Sequence, residues 1–293
     1  MNSFAADIAN PLGTERILIP DGRDATLMSH LIINTNSCIG CKRCSRACPR
    51  NNLAMVDGRA VETGGYCIDC GHCIAVCPRD SIRLTAYPDG DSQIRDYDEK
   101  QVLIPPETLL DFLQRRRSCR WFTDDKLPEE TFLGLQEAAA CSPTADNAQD
   151  VELVVLDGRL NDFLQVVWDI IKTQQDQDPR IRQFGNWIEN PASCRYHPLL
   201  WQGKQVLCTF ARRADDGLLA AGRMEMLAYS AGLGGFYSKY LPLADEIDHG
   251  KVATFFPDLD PAKRLQAAFV IGQPVGGYFR RTVPRREPPL HMY

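Results

Sequence analysis

The chain has 293 residues, 44% of them hydrophobic and 24% charged, which is enough apolar material for two domains of ordinary size. A formal net charge of −5 argues against a nucleic-acid footprint and leaves basic residues available for local anionic ligands. No apolar run approaches the roughly 18 residues of a membrane span, and the opening MNSFAADIANPLG lacks a basic n-region and an apolar h-region. The expectation is a cytoplasmic protein without nucleic-acid or membrane partners.

After an extension expected over residues 1–28, eight of the twelve cysteines fall in two copies of one pattern, Cys38-x2-Cys41-x2-Cys44-x3-Cys48-Pro49 and Cys67-x2-Cys70-x2-Cys73-x3-Cys77-Pro78. Each cysteine of the second copy lies 29 positions after its counterpart, the mark of an internal duplication. Three thiolates in a tight loop can occupy three corners of an iron–sulfur cube, while the fourth, ahead of a proline, points to the other cube. The assignment is Cys38, Cys41, Cys44 and Cys77 to one 4Fe-4S cluster, and Cys67, Cys70, Cys73 and Cys48 to a second. Zinc prefers two separated pairs rather than a compact triad with a crossed fourth ligand. Disulfides suit secreted chains, and nothing here looks secreted. Residues 29–87 closely resemble bacterial two-cluster ferredoxins, with short strands expected at Leu31–Asn34, Leu53–Val56 and Ile82–Ala86 and short helical turns ending at the Cys-Pro pairs.

The stretch Pro88–Lys100 is polar, rich in turn formers and without periodicity, so residues 88–105 are expected to form a linker. Pro105 and Pro106 open a helix with Leu109, Leu110, Phe112 and Leu113 on one side. A second helix starts at Pro128, with Glu129 and Glu130 in its first turn, and runs to about Cys141. Val151–Leu156 suits a buried strand, and Leu160–Ile171 repeats apolar residues at helical spacing. Val206–Phe210 and Ala267–Ile271 are expected as central strands, separated by a long helix near Leu218–Ala231. The mixture predicts an α+β fold without strict βαβ alternation.

Arg116-Arg117-Ser118-Cys119-Arg120, then Ser142-Pro143-Thr144-Ala145-Asp146-Asn147-Ala148-Gln149 and Gly232-Leu233-Gly234, resemble the nitroreductase family of FMN enzymes over about residues 108–290, within a domain expected over 106–293 that ends in a C-terminal arm. Their order after the cysteine runs resembles a ferredoxin–nitroreductase fusion. The resemblance implies an α+β sandwich, a homodimer, and FMN sites completed by residues of both subunits. It places Arg116, Arg117 and Ser118 on the phosphate and ribityl chain, where a guanidinium fork matches phosphate oxygens. It places Arg120 at the flavin pyrimidine edge, where a cation stabilises charge on the reduced ring. Pro143, Thr144, Ala145 and Asn147 would come from the partner subunit, main-chain groups of Ser238, Lys239 and Tyr240 would lie along one flavin face, and Arg281 or Arg285 would close over the phosphate.

Departures from the family sit behind and around the flavin: Asp150-Val151 stands where Pro-Trp is frequent, and Tyr237, Lys239 and Tyr240 are bulky. Phe184–Trp201, with Trp187, Tyr196, His197 and Trp201, falls where the family varies its substrate lid; its aromatic residues either stack a planar substrate or fill the core. No histidine has triad-like neighbours, and no Gly-x-Gly-x-x-Gly fingerprint is present. The functional expectation is reduction of a small, planar, electron-poor molecule (a nitro compound, quinone or activated alkene) with electrons delivered by reduced ferredoxin or flavodoxin. The alternatives are a non-catalytic relay or redox sensor serving a protein partner, and an NAD(P)H-driven reductase exporting electrons through the clusters.

Overall fold

A computed structural model of the chain describes residues 31–86, 94–276 and 279–293; the expected extension 1–28 and the first part of the expected linker lie outside the described residues. The chain divides into two units, one running to Val102 and taking in Ala145–Ala148, the other comprising Leu103–Thr144 and Gln149–Tyr293.

In the first unit, β1 (Leu31–Ile33) pairs antiparallel with β4 (Ile82–Leu84), joining the two ends of the duplicated segment. Strand β1 stops one residue earlier than the sequence suggests, because the Asn34 carboxamide oxygen accepts from the amides of Asn36 and Ser37 and turns the chain. A second hairpin links β2 (Leu53–Val56) to β3 (Arg59–Glu62) through Asp57 and Gly58, both at positive φ (48° and 73°), the backbone that a two-residue hairpin turn requires. Helices α1 (Arg43–Ala47) and α2 (His72–Ala75) are only a turn each, and the small core of Cys44, Leu53, Ala60, Cys73 and Ile82 includes two of the cysteines themselves.

The duplication is written in the backbone as well. Positive φ recurs at the 29-residue offset in three pairs, Gly40 with Asp69, Lys42 with Gly71, and Asn51 with Asp80. Glycine, asparagine and aspartate are the residues that occupy this region at least cost, and five of these six positions carry one of them.

The second unit is α+β, built on a four-stranded antiparallel sheet ordered β5 (Glu152–Leu156), β6 (Gln205–Ala211), β8 (Arg264–Gly272), β7 (Gly234–Tyr237). Successive side chains point to opposite faces of a strand, and both central strands are apolar on both. Val206, Cys208 and Phe210 of β6, with Ala268 and Val270 of β8, enter a core shared with Leu160–Ile171 and with Leu241, Ala244 and Val252. Leu207, Ala267, Phe269 and Ile271 face the other way, against Leu135 and Ala139 of one helix and Ala220, Met224 and Ala228 of another. The result is helix, sheet, helix, in three layers.

Strand β5 differs from its expected role as a buried strand. It is the sheet edge, where Val155 remains 38% exposed and only Leu156 is fully covered. A run of valine and leucine does not distinguish an edge strand covered from one side from a central strand. The helix Pro106–Arg115 forms where the sequence suggests, yet none of its residues is buried, and Leu110 and Leu113 are 54% and 42% exposed.

Candidate functional site

Two cavities in the first unit gather the repeated cysteines. One is lined by Cys38, Cys41, Cys44 and Cys77, together with Met55, Ala60 and Ile82. The other is lined by Cys67, Cys70, Cys73 and Cys48, together with Leu31, Leu53 and Leu84. The fourth thiol of each run is thus brought to the cavity of the other. All twelve cysteines are free. Among the described residues no three His, Cys, Asp or Glu side chains converge on a single ion. Four thiols distributed around a cavity, rather than pointed at one centre, suit a polynuclear cluster better than zinc.

Backbone amides are aimed at the sulfurs. The Ala60 amide approaches Cys38 Sγ at 3.5 Å, and Asn52 N and Ser81 N approach Cys48 and Cys77 Sγ at 3.3 Å each, again a pair at corresponding places in the two repeats. The Ala60 amide, helped by Gly40 and Arg59, holds the Cys38 thiol below its ordinary range. Burial instead pushes Cys67 up to about 12 and Cys73 up to about 11. Such buried thiols give up their protons only to a cation that compensates the charge, which is what cluster iron would supply. Gly40 is required for the first loop: it sits at φ 69°, and a Cβ there would lie 2.2 Å from the Gly58 carbonyl oxygen.

In the second unit, Arg116–Phe122 is pinned beside β7. The Cys119 amide donates to the Gly235 carbonyl (2.9 Å), and the Arg117 amide donates to the Tyr229 hydroxyl (2.8 Å). Arg116 is engaged by Glu225 at 2.7 Å, a carboxylate 13% exposed, and Arg285 Nη2 donates to the Arg116 carbonyl at 3.2 Å. Of the two C-terminal arginines named from sequence, both exposed, Arg285 is the one that contacts this segment. The Arg120 guanidinium lies over the Trp201 ring (5.6 Å) and the Phe236 ring (5.3 Å).

Past β7, the Ser238 amide donates to the Ala268 carbonyl at 2.9 Å, while its buried hydroxyl has no partner among the described residues. Lys239 and the Tyr240 hydroxyl turn to Asp178, each within 3.3 Å. Although burial of Asp178 acts against it, the Arg180 amide and Lys239 hold this carboxyl below its usual range. Tyr237 points elsewhere, donating its hydroxyl to the Ala221 carbonyl at 2.9 Å with its ring against Phe269.

Thr144 Oγ1 accepts from the Gln149 amide (3.0 Å), and Ala145–Asn147 forms a short turn with Asp146 and Asn147 at positive φ. Ala145–Ala148 groups with the first unit, where Asp146 pairs with Arg50 and Asn147 Nδ2 donates to the Ile68 carbonyl at 2.9 Å. Pro143 and Thr144 belong to the second unit, so the four residues expected to act together are divided between the two.

The aromatic stretch packs against the core. Phe184 is fully buried against Trp168, and the His197 ring is wedged between Trp187 (4.3 Å) and Phe184 (5.4 Å). Trp201, half-buried like Trp187, Tyr196 and His197, sits at φ 56° with guanidinium groups of Arg120 and Arg180 over its ring. Sequence reasoning named Trp201 but missed Asp178 and Arg180. Asp178-Pro179, an N-cap followed by a first-turn proline, was the available sign of a helix starting there.

Comparison with known proteins agrees with this layout. The model of the nitroreductase family matches residues 113–273, and that of the 4Fe-4S dicluster domain matches residues 30–78. Among solved structures, an FMN-bound nitroreductase from Bacteroides fragilis is similar at 13% identity and a TM-score of 0.51, covering 63% of this chain and 98% of that one. An FMN-bound nitroreductase from Desulfitobacterium hafniense matches at 17% identity and a TM-score of 0.47, covering 64% and 96%. No curated protein matches the chain at a significant level. With its model spanning more than half of the residues, and a 4Fe-4S dicluster domain ahead of it, the chain belongs to the nitroreductase family.

Proposed function

We propose that this iron–sulfur flavoprotein is a reductase that passes electrons from a low-potential protein donor, reduced ferredoxin or flavodoxin, to a small, planar, electron-poor substrate. The observation that carries the reading is the pair of cavities with crossed fourth cysteines, present in one chain with a nitroreductase unit. When bound, two 4Fe-4S clusters supply one-electron relay, and FMN collects electrons for two-electron reduction of substrate.

The protein's part is to hold, orient and exclude. Cys38, Cys41, Cys44 and Cys77 would hold one cluster, and Cys67, Cys70, Cys73 and Cys48 the other, with the Ala60, Asn52 and Ser81 amides stabilising sulfur charge. Arg117, Ser118 and Arg285 would bind the FMN phosphate, and Glu225 would orient Arg116 beside them. Arg120 would face the flavin pyrimidine edge, and the unpartnered Ser238 hydroxyl, next to Lys239 and Tyr240, is suited to a polar atom of the ring. Pro143, Thr144, Ala145 and Asn147 are assigned to the flavin site of a partner subunit.

A second copy is the occupant proposed for the exposed apolar surface of Ile104, Leu110, Leu133, Leu218, Leu219 and Leu227, each at least 40% exposed. Apolar side chains gathered on neighbouring helices are what a permanent subunit interface covers.

The test is anaerobic purification with iron, sulfide and FMN assays, then stopped-flow reduction by ferredoxin and by NADPH. The expected result is rapid flavin reduction by ferredoxin only. Zinc in place of iron, absence of FMN, or clusters that stay oxidised while NADPH reduces the flavin directly would each overturn the reading.

A further inference from the structure

Two guanidinium groups without a counter-ion among the described residues lie over the Trp201 ring. Arg120 and Arg180 both place their guanidinium carbons over its indole, at 5.6 and 5.4 Å from the ring centroid. Among the described residues neither guanidinium has a carboxylate partner or a hydrogen-bond acceptor. The nearby carboxylate in sequence, Asp178, is committed elsewhere: it accepts from the Arg180 amide at 2.8 Å, from Lys239 at 3.2 Å and from the Tyr240 hydroxyl. Arg180 also stands in the first turn of the helix Pro179–Glu189, the end where exposed amides and the helix dipole disfavour a cation. The fold therefore gains little from a positive charge at this position, and Trp201 itself is held at φ 56°, a conformation unfavourable for a bulky residue.

We infer that Arg180 is an anion receptor of the substrate site, and that the planar acceptors this protein reduces carry a carboxylate. The inference rests on the reductase reading above, which assigns Arg120 to the flavin. Arg180 shares the Trp201 ring with Arg120, so a group bound by its guanidinium lies one indole away from the residue facing the flavin edge. Guanidinium forks accept carboxylates in a bidentate fashion, and a flat acceptor can extend across the Trp201 ring while its anionic end stays on Arg180. Lys239, already paired with Asp178, keeps the rim positive without offering an unpaired charge. A neutral acceptor of the same shape would keep the stacking and lose the ion pair.

The experiment compares 4-nitrobenzoate with 4-nitrobenzamide as oxidants of the anaerobically photoreduced holoprotein; each takes two electrons and two protons, giving the nitroso compound and water. Benzoate, which cannot be reduced, is titrated separately against the oxidised holoprotein by the change in flavin absorbance. In the wild type the carboxylate should half-saturate at the lower concentration, with an advantage that shrinks as salt rises. Arg180→Gln should weaken 4-nitrobenzoate and benzoate about tenfold, the size of one charge-assisted contact, and leave the amide unchanged. Arg180→Lys, which keeps the charge and loses the fork, should fall between. Equal half-saturation by both oxidants in the wild type, or equal weakening of both in Arg180→Gln, would overturn the receptor. Should neither compound oxidise the flavin, the reductase reading fails, and benzoate alone decides: salt-sensitive binding lost in Arg180→Gln upholds the receptor, and no binding rejects it.

Discussion

His197 offers a quantitative handle on the second unit. Its Nδ1 accepts from the amides of Leu199 and Leu200, both at 3.1 Å, so the proton of the neutral ring resides on Nε2, which is buried without a partner among the described residues. Burial lowers its pKa to about 4, against about 6.5 for an exposed ring. Because the folded-state value is the depressed one, the unfolded chain binds this proton first as pH falls. Stability from the neutral ring is therefore present above about pH 6.5 and is lost between there and pH 4. Full traversal of that window corresponds to about 3 kcal/mol, and the part between pH 7.5 and 5.5, where acid-labile clusters are less at risk, to about 1 kcal/mol.

The perturbation is His197→Asn, which keeps an acceptor near the Leu199 and Leu200 amides and removes the titrating ring. The assay is urea unfolding followed by tryptophan fluorescence. All four tryptophans (Trp121, Trp168, Trp187 and Trp201) lie in the second unit, so the signal reports on that unit alone. The variant should be less stable at pH 7.5, through lost contacts with Trp187 and Phe184, and the gap should narrow by about 1 kcal/mol at pH 5.5. A stability difference that does not change with pH would refute the reasoning.

Three further outcomes can be checked independently. Cys77→Ser and Cys48→Ser should each lower iron content by about half or more, measured with sulfide on anaerobically purified protein, since each removes a ligand from the opposite repeat's cavity. Phe163→Ala, which empties a fully buried site in contact with Phe255 and Phe256, should cost about 3–5 kcal/mol in urea unfolding. Tyr229→Phe leaves the Arg117 amide without its hydroxyl acceptor and should weaken FMN binding by about 1 kcal/mol, read by fluorescence titration of the apoprotein, with little change in cluster content.

How much could be read in advance differs between the units. Cysteine spacing alone paired each triad with the distant fourth thiol, because a cube's geometry leaves few ways to satisfy four sulfurs on a short loop. The Asp57-Gly58 hairpin was equally available as a turn signal, yet β3 went unread because Arg59–Glu62 offers little apolar alternation. Strand β7 was hidden by its own glycines. Gly235 is packed so that a Cβ would meet Phe269 Cζ at 2.3 Å and the Val270 carbonyl oxygen at 2.6 Å, a demand set by neighbours rather than by strand propensity. The Asp178–Lys239 pair spans 61 positions, and local pattern carries no information about such a contact. Aromatic composition does not say which way a ring points, so the sequence leaves Phe184–Trp201 open between substrate stacking and packing; Phe184 is fully buried, and Trp187 and Trp201 pack half-buried against the core.

The exchange of fourth thiols between the repeats also determines what can be separated. A peptide cut from either half would bring three of its sulfurs and leave the last on the missing piece, while β1 would lose β4, its only strand partner among the described residues. What began as a tandem copy has become a single interlocked object, and neither ancestor-like half remains a free-standing module.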